Sequence, residues 1–141
     1  MLRATCALPM FFPAIDLDGQ KYYDGGLVDP IPFKKALDDG CDKLIVVLTQ
    51  PRGFVKRYGK YDKMGARMLG HKYPEIKRVI MERPDLYNAM VKECEALAKE
   101  GKVMILRPNH LLNSFESDVR KLEMAYWHGY RMTKEKMKKI K

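Results

Sequence analysis

The chain has 141 residues, of which 46% are hydrophobic, so it is long and apolar enough for a folded core and is not a disordered polar chain. It carries 27 basic residues against 18 acidic ones, a net charge of +9, which favours anionic partners such as phospholipid or nucleic acid, or simply a solvated basic surface. No apolar run approaches the ~20 residues that span a bilayer, and Pro9 and Pro13 interrupt the apolar N-terminus, so we expect neither a transmembrane helix nor a signal peptide.

The cysteines and histidines are isolated from one another, without the spacing of metal ligands. We therefore expect a reducing intracellular setting with buried thiols and no metal site. No cofactor is expected for this chain. These residues are Cys6, Cys41, Cys94, His71, His110 and His128.

The first predicted strands flank an Asp-Gly pair. Residues 13–17 and 20–23 lie on either side of Asp18 and Gly19, which are typical of a two-residue type I′ turn because both positions take positive φ. Asp24 then follows the second strand and is not a residue of this turn.

A helix and a strand are predicted next. In DPIPFKKALDDG, Asp29 is the expected N-cap, Pro30 or Pro32 a first-turn residue, and Gly40 the C-terminal cap. The aliphatic run KLIVVLT, residues 43–49, predicts a strand buried on both faces, as in a parallel sheet.

A basic linker, residues 51–61, leads to further helices. One is predicted to open at Pro74 and a second at Pro84, the latter ending at Gly101. A second buried strand is predicted at KVMILRP, residues 102–108, which completes a right-handed β-α-β unit.

The last segment predicts a long helix from Ser117, its expected cap, to Lys141, with Asp118 favourable at its N-terminal dipole. We expect its apolar face to pack on the core; the alternative is a lipid-interface face on a basic helix. The face comprises Val119, Leu122, Tyr126, Tyr130, Met137 and Ile140, with Trp127 beside it.

The run ATCALPMFFPAIDLDGQKYYDGGLVDPIP, followed by the KLIVVLT strand, resembles the C-terminal half of a patatin-like phospholipase, closest to bacterial proteins with a helical extension. The resemblance implies an α/β class: a partial patatin-like three-layer fold with mostly parallel strands, plus the helical extension. It places the C-terminal part of the catalytic core at residues 1–52. The extension is then residues 53–141, with one strand near 103–107.

The same resemblance implies that Asp24 is the acid of a Ser–Asp catalytic dyad, with Gly25 and Gly26 completing the motif. A carboxylate within hydrogen-bond reach of a serine can activate it without a histidine. Glycines behind the acid allow close approach of the backbone. The alternative is that Asp24 caps a turn or the following helix.

The family's GxSxG nucleophile and its glycine-rich oxyanion loop have no counterpart in this sequence. Ser114 and Ser117 are the serines present. We expect Ser114 to be a loop residue and Ser117 to cap a helix. The sequence is thus expected to be the downstream fragment of a serine-dependent lipid acyl hydrolase, a phospholipase or esterase. Alone it would be inactive, and it would expose an unpaired sheet edge and self-associate.

Two other functions are considered: a truncated or pseudo-enzyme chain that binds lipid or a protein partner, and a basic nucleic-acid-binding domain, for which recognition motifs are absent. The expected partners are a lipid or acyl ester, the missing N-terminal half of the fold and an anionic membrane, with no nucleic acid. Location is expected to be cytoplasmic, with peripheral membrane contact. That contact would use the linker and the basic residues that flank it; the alternative is a solvated loop. The basic residues are Arg52, Lys56, Arg57, Lys60 and Lys63, with Phe54, Tyr58 and Tyr61 among them.

Overall fold

The computed structural model describes residues 2–9, 11–111, 113 and 116–138. Helices and strands mix, with a parallel sheet and a helical C-terminal region, which confirms the α/β class. In chain order the elements are β1 (Ile15–Leu17), β2 (Gln20–Tyr22), α1 (Phe33–Asp38), β3 (Leu44–Val47), α2 (Lys60–Gly70), α3 (Pro74–Lys99), β4 (Val103–Leu106) and α4 (Val119–Met137). Short 3₁₀ turns occupy Ala4–Cys6 and Gly25–Leu27.

The chain folds as two compact units. The first contains the residues up to Pro32 together with Val55–Glu93. The second contains Phe33–Phe54 and the part of the chain from Cys94 onward. The predicted boundary near residue 52 stays a prediction about family organisation, and β3 and β4, which lie on either side of it, pair in one sheet.

In the first unit, β1 and β2 form an antiparallel hairpin in which Leu17 pairs with Gln20. Asp18 and Gly19 have φ values of 53° and 78°, as the predicted type I′ turn requires. The core of this unit forms where Leu27, Ala66 and Ile80 pack together. Helices α2 and α3 thus cover the segment that follows the hairpin.

In the second unit, β3 and β4 are parallel, with Leu44 opposite Val103 and Val47 opposite Leu106. The prediction that KLIVVLT is buried on both faces is wrong for the described chain: Val46 is buried, whereas Ile45 and Val47 are 50% and 71% exposed. The physical reason is that a strand's side chains alternate between faces and the described chain covers one of them.

Helix α1 begins at Phe33, after Pro30 and Pro32 rather than on them, so Asp29 is not its N-cap. Its end follows the prediction: Gly40 has a φ of 90°, and the Cys41 N–H donates to the Ala36 carbonyl at 3.1 Å. The left-handed conformation at this position favours glycine.

Helix α3 is continuous, and the predicted break at Pro84 is wrong. A proline inside a helix costs about 3 kcal/mol through its lost hydrogen bond and its ring clash. Pro84 is buried, so packing offsets that cost. The expected end is confirmed, because the helix stops at Lys99 and Gly101 takes a φ of 76°.

The cap of α4 is Asp118, whose Oδ1 accepts the Arg120 N–H at 2.9 Å, and not Ser117. The prediction that the aromatic face packs on a core is wrong: Tyr126 is 65% exposed and no described residue of α4 is buried. The half-buried positions are instead Ala125, His128, Gly129, Met132, Thr133 and Lys136. Two residues of the sequence predictions, Ser114 and Ile140, lie outside the described residues, as does the stretch 139–141.

The prediction of buried thiols holds only for Cys94. Cys6 and Cys41 are exposed.

Candidate active site

The candidate site is the turn that follows the hairpin of the first unit. Asp24 lies two residues beyond the end of β2, and its backbone N–H donates to the Ala7 carbonyl at 3.0 Å. Ala7 is almost completely buried, so the small residues of the N-terminal segment let the two backbones approach closely. The position of Asp24 is therefore set by main-chain contacts on both sides.

The Asp24 carboxylate is half-buried and held by one of its oxygens. Oδ1 accepts the Gly26 N–H at 2.7 Å, which caps the 3₁₀ turn Gly25–Leu27. No hydrogen bond or ion pair to Oδ2 occurs within the described part of the chain. The capping alternative is thus realised in the structure, and it leaves the second oxygen available for another donor.

The two glycines behind the acid meet different demands. A Cβ on Gly26 would lie 2.9 Å from Asp24 Oδ1, closer than such atoms approach, whereas a Cβ on Gly25 would meet nothing within 4 Å. Gly26 is therefore the glycine that the carboxylate position requires, and Gly25 faces open space.

An arginine from α3 holds the outer side of this turn. Arg83 Nε donates to the Gly26 carbonyl at 3.0 Å, across 57 positions of sequence. Together with the Asp24–Gly26 bond, this contact fixes both backbone groups of Gly26. A turn clamped in this way holds its carboxylate in one orientation.

A second clamp from α3 lies one turn further along. The Asn88 side chain accepts the Lys56 N–H at 2.8 Å and donates to the Lys56 carbonyl at 2.9 Å. The Lys56 ammonium lies 5.5 Å from the centre of the Tyr87 ring. Burial, and then the charge of Arg83, lower the pKa of Lys56, with Asp62 acting in the opposite direction.

Asp29 also contributes to this turn. Its N–H donates to the Gly25 carbonyl at 2.9 Å. Its Oδ1 is buried and has no hydrogen-bond partner among the residues that the structure describes. A buried acceptor without a partner is costly, so Asp29 is the least satisfied polar group of the site.

The structure brings Asp24, Gly25 and Gly26 together in one turn, and it adds no nucleophile to them. Ser117 precedes α4, and no residue of the sequence is assigned as the nucleophile. No group of three or more potential metal ligands occurs in the described ranges. None of the described helices is long and apolar enough to cross a bilayer.

Comparison with known families matches two separate segments. Residues 1–37 match the family described as patatin-like phospholipase, and residues 73–141 match a domain of unknown function (DUF6363). The N-terminal part of the chain is therefore patatin-like, which links it to a family of hydrolases. Asp24 lies in the first matched segment and Arg83 in the second, so the turn is clamped across the two.

Among curated proteins, the chain is similar to the uncharacterized protein YjjU of Escherichia coli (strain K12). The two are 40% identical over 52 residues, which is 36% of this chain and 15% of that protein. The matched stretch thus spans well under a quarter of the length of this relative.

Sequence reasoning did not find Arg83 or Asn88. Each acts through a contact more than thirty residues away in the chain, and neither belongs to a motif. Local sequence patterns place polar residues on the exposed face of an amphipathic helix. Such a pattern does not distinguish Arg83 and Asn88 from the other polar residues of α3.

Proposed function

We propose that this chain supplies the acid of a Ser–Asp dyad in a serine-dependent lipid acyl hydrolase, with Asp24 as the catalytic carboxylate. The observation that carries the proposal is the Asp24 turn itself. One carboxylate oxygen is fixed by the Gly26 N–H at 2.7 Å, while the other has no partner in the described part of the chain. The patatin-like match over residues 1–37 supports it.

In this mechanism Asp24 Oδ2 accepts the hydroxyl proton of a serine as the serine oxygen attacks the ester carbonyl carbon. The tetrahedral intermediate then collapses, the proton passes from Asp24 to the leaving alcohol, and an acyl-enzyme remains. Water then attacks the acyl-enzyme, the same two steps follow, and the fatty acid is released. Gly26 and Arg83 hold the carboxylate in place but do not touch the substrate.

The nucleophile in this proposal comes from a GxSxG segment that the sequence does not contain. The substrate class is a fatty acyl ester, either of a phospholipid or of a neutral lipid. No cofactor or metal takes part.

The test is a conservative change of the acid in a chain that carries both the Asp24 turn and the GxSxG segment. Asp24→Asn keeps the size of the side chain and removes the base, so ester turnover should fall on the order of a hundredfold to ten-thousandfold. Asp18→Asn is the matched control, because Asp18 is exposed and asparagine tolerates its positive φ. Full activity in Asp24→Asn would remove Asp24 from the mechanism.

The second candidate is a non-catalytic chain that binds lipid or a protein partner. The exposed aromatic face of α4 favours it. Absence of measurable ester turnover, in the unchanged protein as well as in Asp24→Asn and Asp18→Asn, would favour this second candidate.

A further inference from the structure

Helix α4 presents to solvent the face that its sequence predicts for packing. Exposed apolar side chains recur along it at helical spacing: Val119, Leu122, Tyr126, Trp127, Tyr130 and Met137. An exposed apolar stripe of this length marks an interaction surface rather than chance exposure. We call this set of six residues the aromatic stripe.

The opposite side of α4 is already engaged within the second unit. Lys136 Nζ donates to the Ile105 carbonyl at 2.7 Å, and His128 Nε2 accepts the Asn109 N–H at 3.3 Å. The rings of His128 and His110 lie 5.1 Å apart. These contacts fix the rotation of the helix about its axis, and the aromatic stripe therefore points away from β4.

The centre of the stripe is a cluster of three aromatic rings. Trp127 makes edge-to-face contacts with Tyr126 at 5.2 Å and with Tyr130 at 5.7 Å. Each ring has an apolar body and one polar group, the combination found where one end of a side chain is apolar and the other is wet. Trp and Tyr concentrate at the headgroup level of membranes for this reason.

Basic side chains flank the stripe. Lys134 lies over the Tyr130 ring at 5.8 Å, and Arg131 follows Trp127 by one helical turn. Between Val119 and Lys138 the sequence has six basic residues and two acidic ones. The exposed basic residues beside the stripe are Arg120, Arg131, Lys134 and Lys138.

We infer that α4 lies in the plane of an anionic phospholipid bilayer, with the aromatic stripe inserted at the headgroup level and the basic flank on lipid phosphates. A helix of 19 residues is ~28 Å long, and such helices bury their apolar face ~5–10 Å deep. Self-docking of two stripes would bring like basic flanks together across the twofold axis. Nucleic acid would engage the rings and cations but would leave Val119, Leu122 and Met137 without a role.

The chain carries its own reporter for this contact, because Trp127 is the single tryptophan of the sequence. On phosphatidylcholine vesicles containing phosphatidylglycerol, at low salt, its emission should shift to the blue and become protected from iodide. On pure phosphatidylcholine vesicles the shift should be small, and high salt should weaken the anionic response. Unchanged emission on anionic vesicles, or equal shifts on both kinds, would overturn the inference.

Paired charge variants test which basic residues act. Arg131→Gln with Lys134→Gln should weaken binding to the anionic vesicles about thirtyfold, because each basic residue near the surface adds ~1 kcal/mol. Lys21→Gln with Lys43→Gln removes the same charge from exposed positions elsewhere and should leave binding nearly unchanged. Equal losses in the two pairs would show a net-charge effect only and would contradict the placement on α4. Circular dichroism confirms that each variant keeps its helices.

Two other outcomes would also overturn the inference. Blue-shifted emission without lipid that grows with protein concentration would show that a second copy covers the stripe. Salt-sensitive binding to duplex DNA that protects Trp127 would show a nucleic-acid surface.

The inference is independent of the proposed catalysis. Asp24→Asn should bind the vesicles as the unchanged chain does, so a failure of membrane binding and a failure of the dyad are separate results.

Discussion

At the scale of the residue, the candidate site depends on Gly26 more than on Gly25. A Cβ at position 26 would lie 2.9 Å from Asp24 Oδ1, and the carboxylate is the group that can move. Gly26→Ala should therefore turn the Asp24 carboxylate and weaken its hydrogen bond, a loss of about 1 kcal/mol. In an active chain this should lower ester turnover severalfold.

Gly25→Ala is the matched control for that change. Nothing lies within 4 Å of its added methyl group, so turnover and the unfolding midpoint should stay close to those of the unchanged chain. Equal effects of the two alanines on turnover would show that the carboxylate position does not depend on Gly26.

Lys56 gives the pH dependence that the structure predicts. Its pKa is lowered from 10.5 in the folded chain, chiefly by burial. Below its pKa in the folded chain, Lys56 is charged in both states, and the buried charge lowers the free energy of unfolding. Between that pKa and 10.5 the unfolded state binds more protons than the folded state, so the free energy of unfolding rises with pH and the penalty disappears.

Lys56→Met keeps the apolar stem over Tyr87 and removes the charge, so it should stabilise the chain near neutral pH. The gain should shrink as the pH rises toward 10.5. Denaturant unfolding of both chains across this range measures it. A gain that is independent of pH would mean that the substitution acts through packing and not through charge.

At the scale of the element, α3 organises the candidate site. Arg83 and Asn88 reach from it to the Asp24 turn and to the linker at Lys56. Arg83→Gln should lower the free energy of unfolding by about 1.5–3 kcal/mol, the range for hydrogen bonds to charged groups. In an active chain it should also lower kcat with little change in KM, because it positions Asp24 and does not bind substrate.

Arg78→Gln on the same helix is the control for Arg83→Gln. Arg78 is exposed and pairs with Glu75 and Glu82 at 3.0 and 2.9 Å, and exposed pairs of this kind contribute about 0–1 kcal/mol. A loss at Arg78 as large as the loss at Arg83 would contradict the clamp.

The elements also show what the sequence predicts well and what it does not. The Asp18-Gly19 turn and the ends at Gly40 and Gly101 follow from local backbone rules, and all were predicted. The continuity of α3 through Pro84 was not, because burial of that proline outweighs its local preference. The side of α4 that packs was not predicted either, since periodicity finds an amphipathic stripe but not which stripe meets the rest of the unit.

The residues of the candidate site also include some that the sequence predicts and some that it does not. The motif and its order in the chain predict Asp24, Gly25 and Gly26, whereas Arg83 contacts Gly26 from 57 positions away. Contacts of that range depend on the tertiary fold, so local patterns carry no sign of them.

At the scale of the whole molecule, the parallel sheet offers a surface for self-association. Ile45 and Val47 are exposed on β3, and the described sheet has two strands, each with an unpaired edge. The 141-residue chain should therefore self-associate in sedimentation velocity. Ile45→Thr with Val47→Thr should reduce this association by removing apolar area while keeping β-branched side chains.

Val28→Thr with Val55→Thr is the matched pair outside the strands of this sheet, and both valines are exposed. Association that falls equally in the two pairs would show a general effect of surface hydrophobicity. A monomeric and cooperatively unfolding chain would contradict the role of the sheet.

The proposed role of Asp24 is to activate a serine in a GxSxG segment, which this sequence does not contain. The rate of fluorophosphonate labelling measures that activation, because the reagent reacts with an activated serine and needs no substrate recognition. The 141-residue chain should not be labelled, and a chain that also carries the GxSxG segment should be labelled at that serine. In the longer chain, Asp24→Asn should slow labelling on the order of a hundredfold or more, while Asp18→Asn leaves it unchanged. Unchanged labelling in Asp24→Asn, or stoichiometric labelling of Ser114 or Ser117 in the 141-residue chain, would rule out the proposed Ser–Asp dyad.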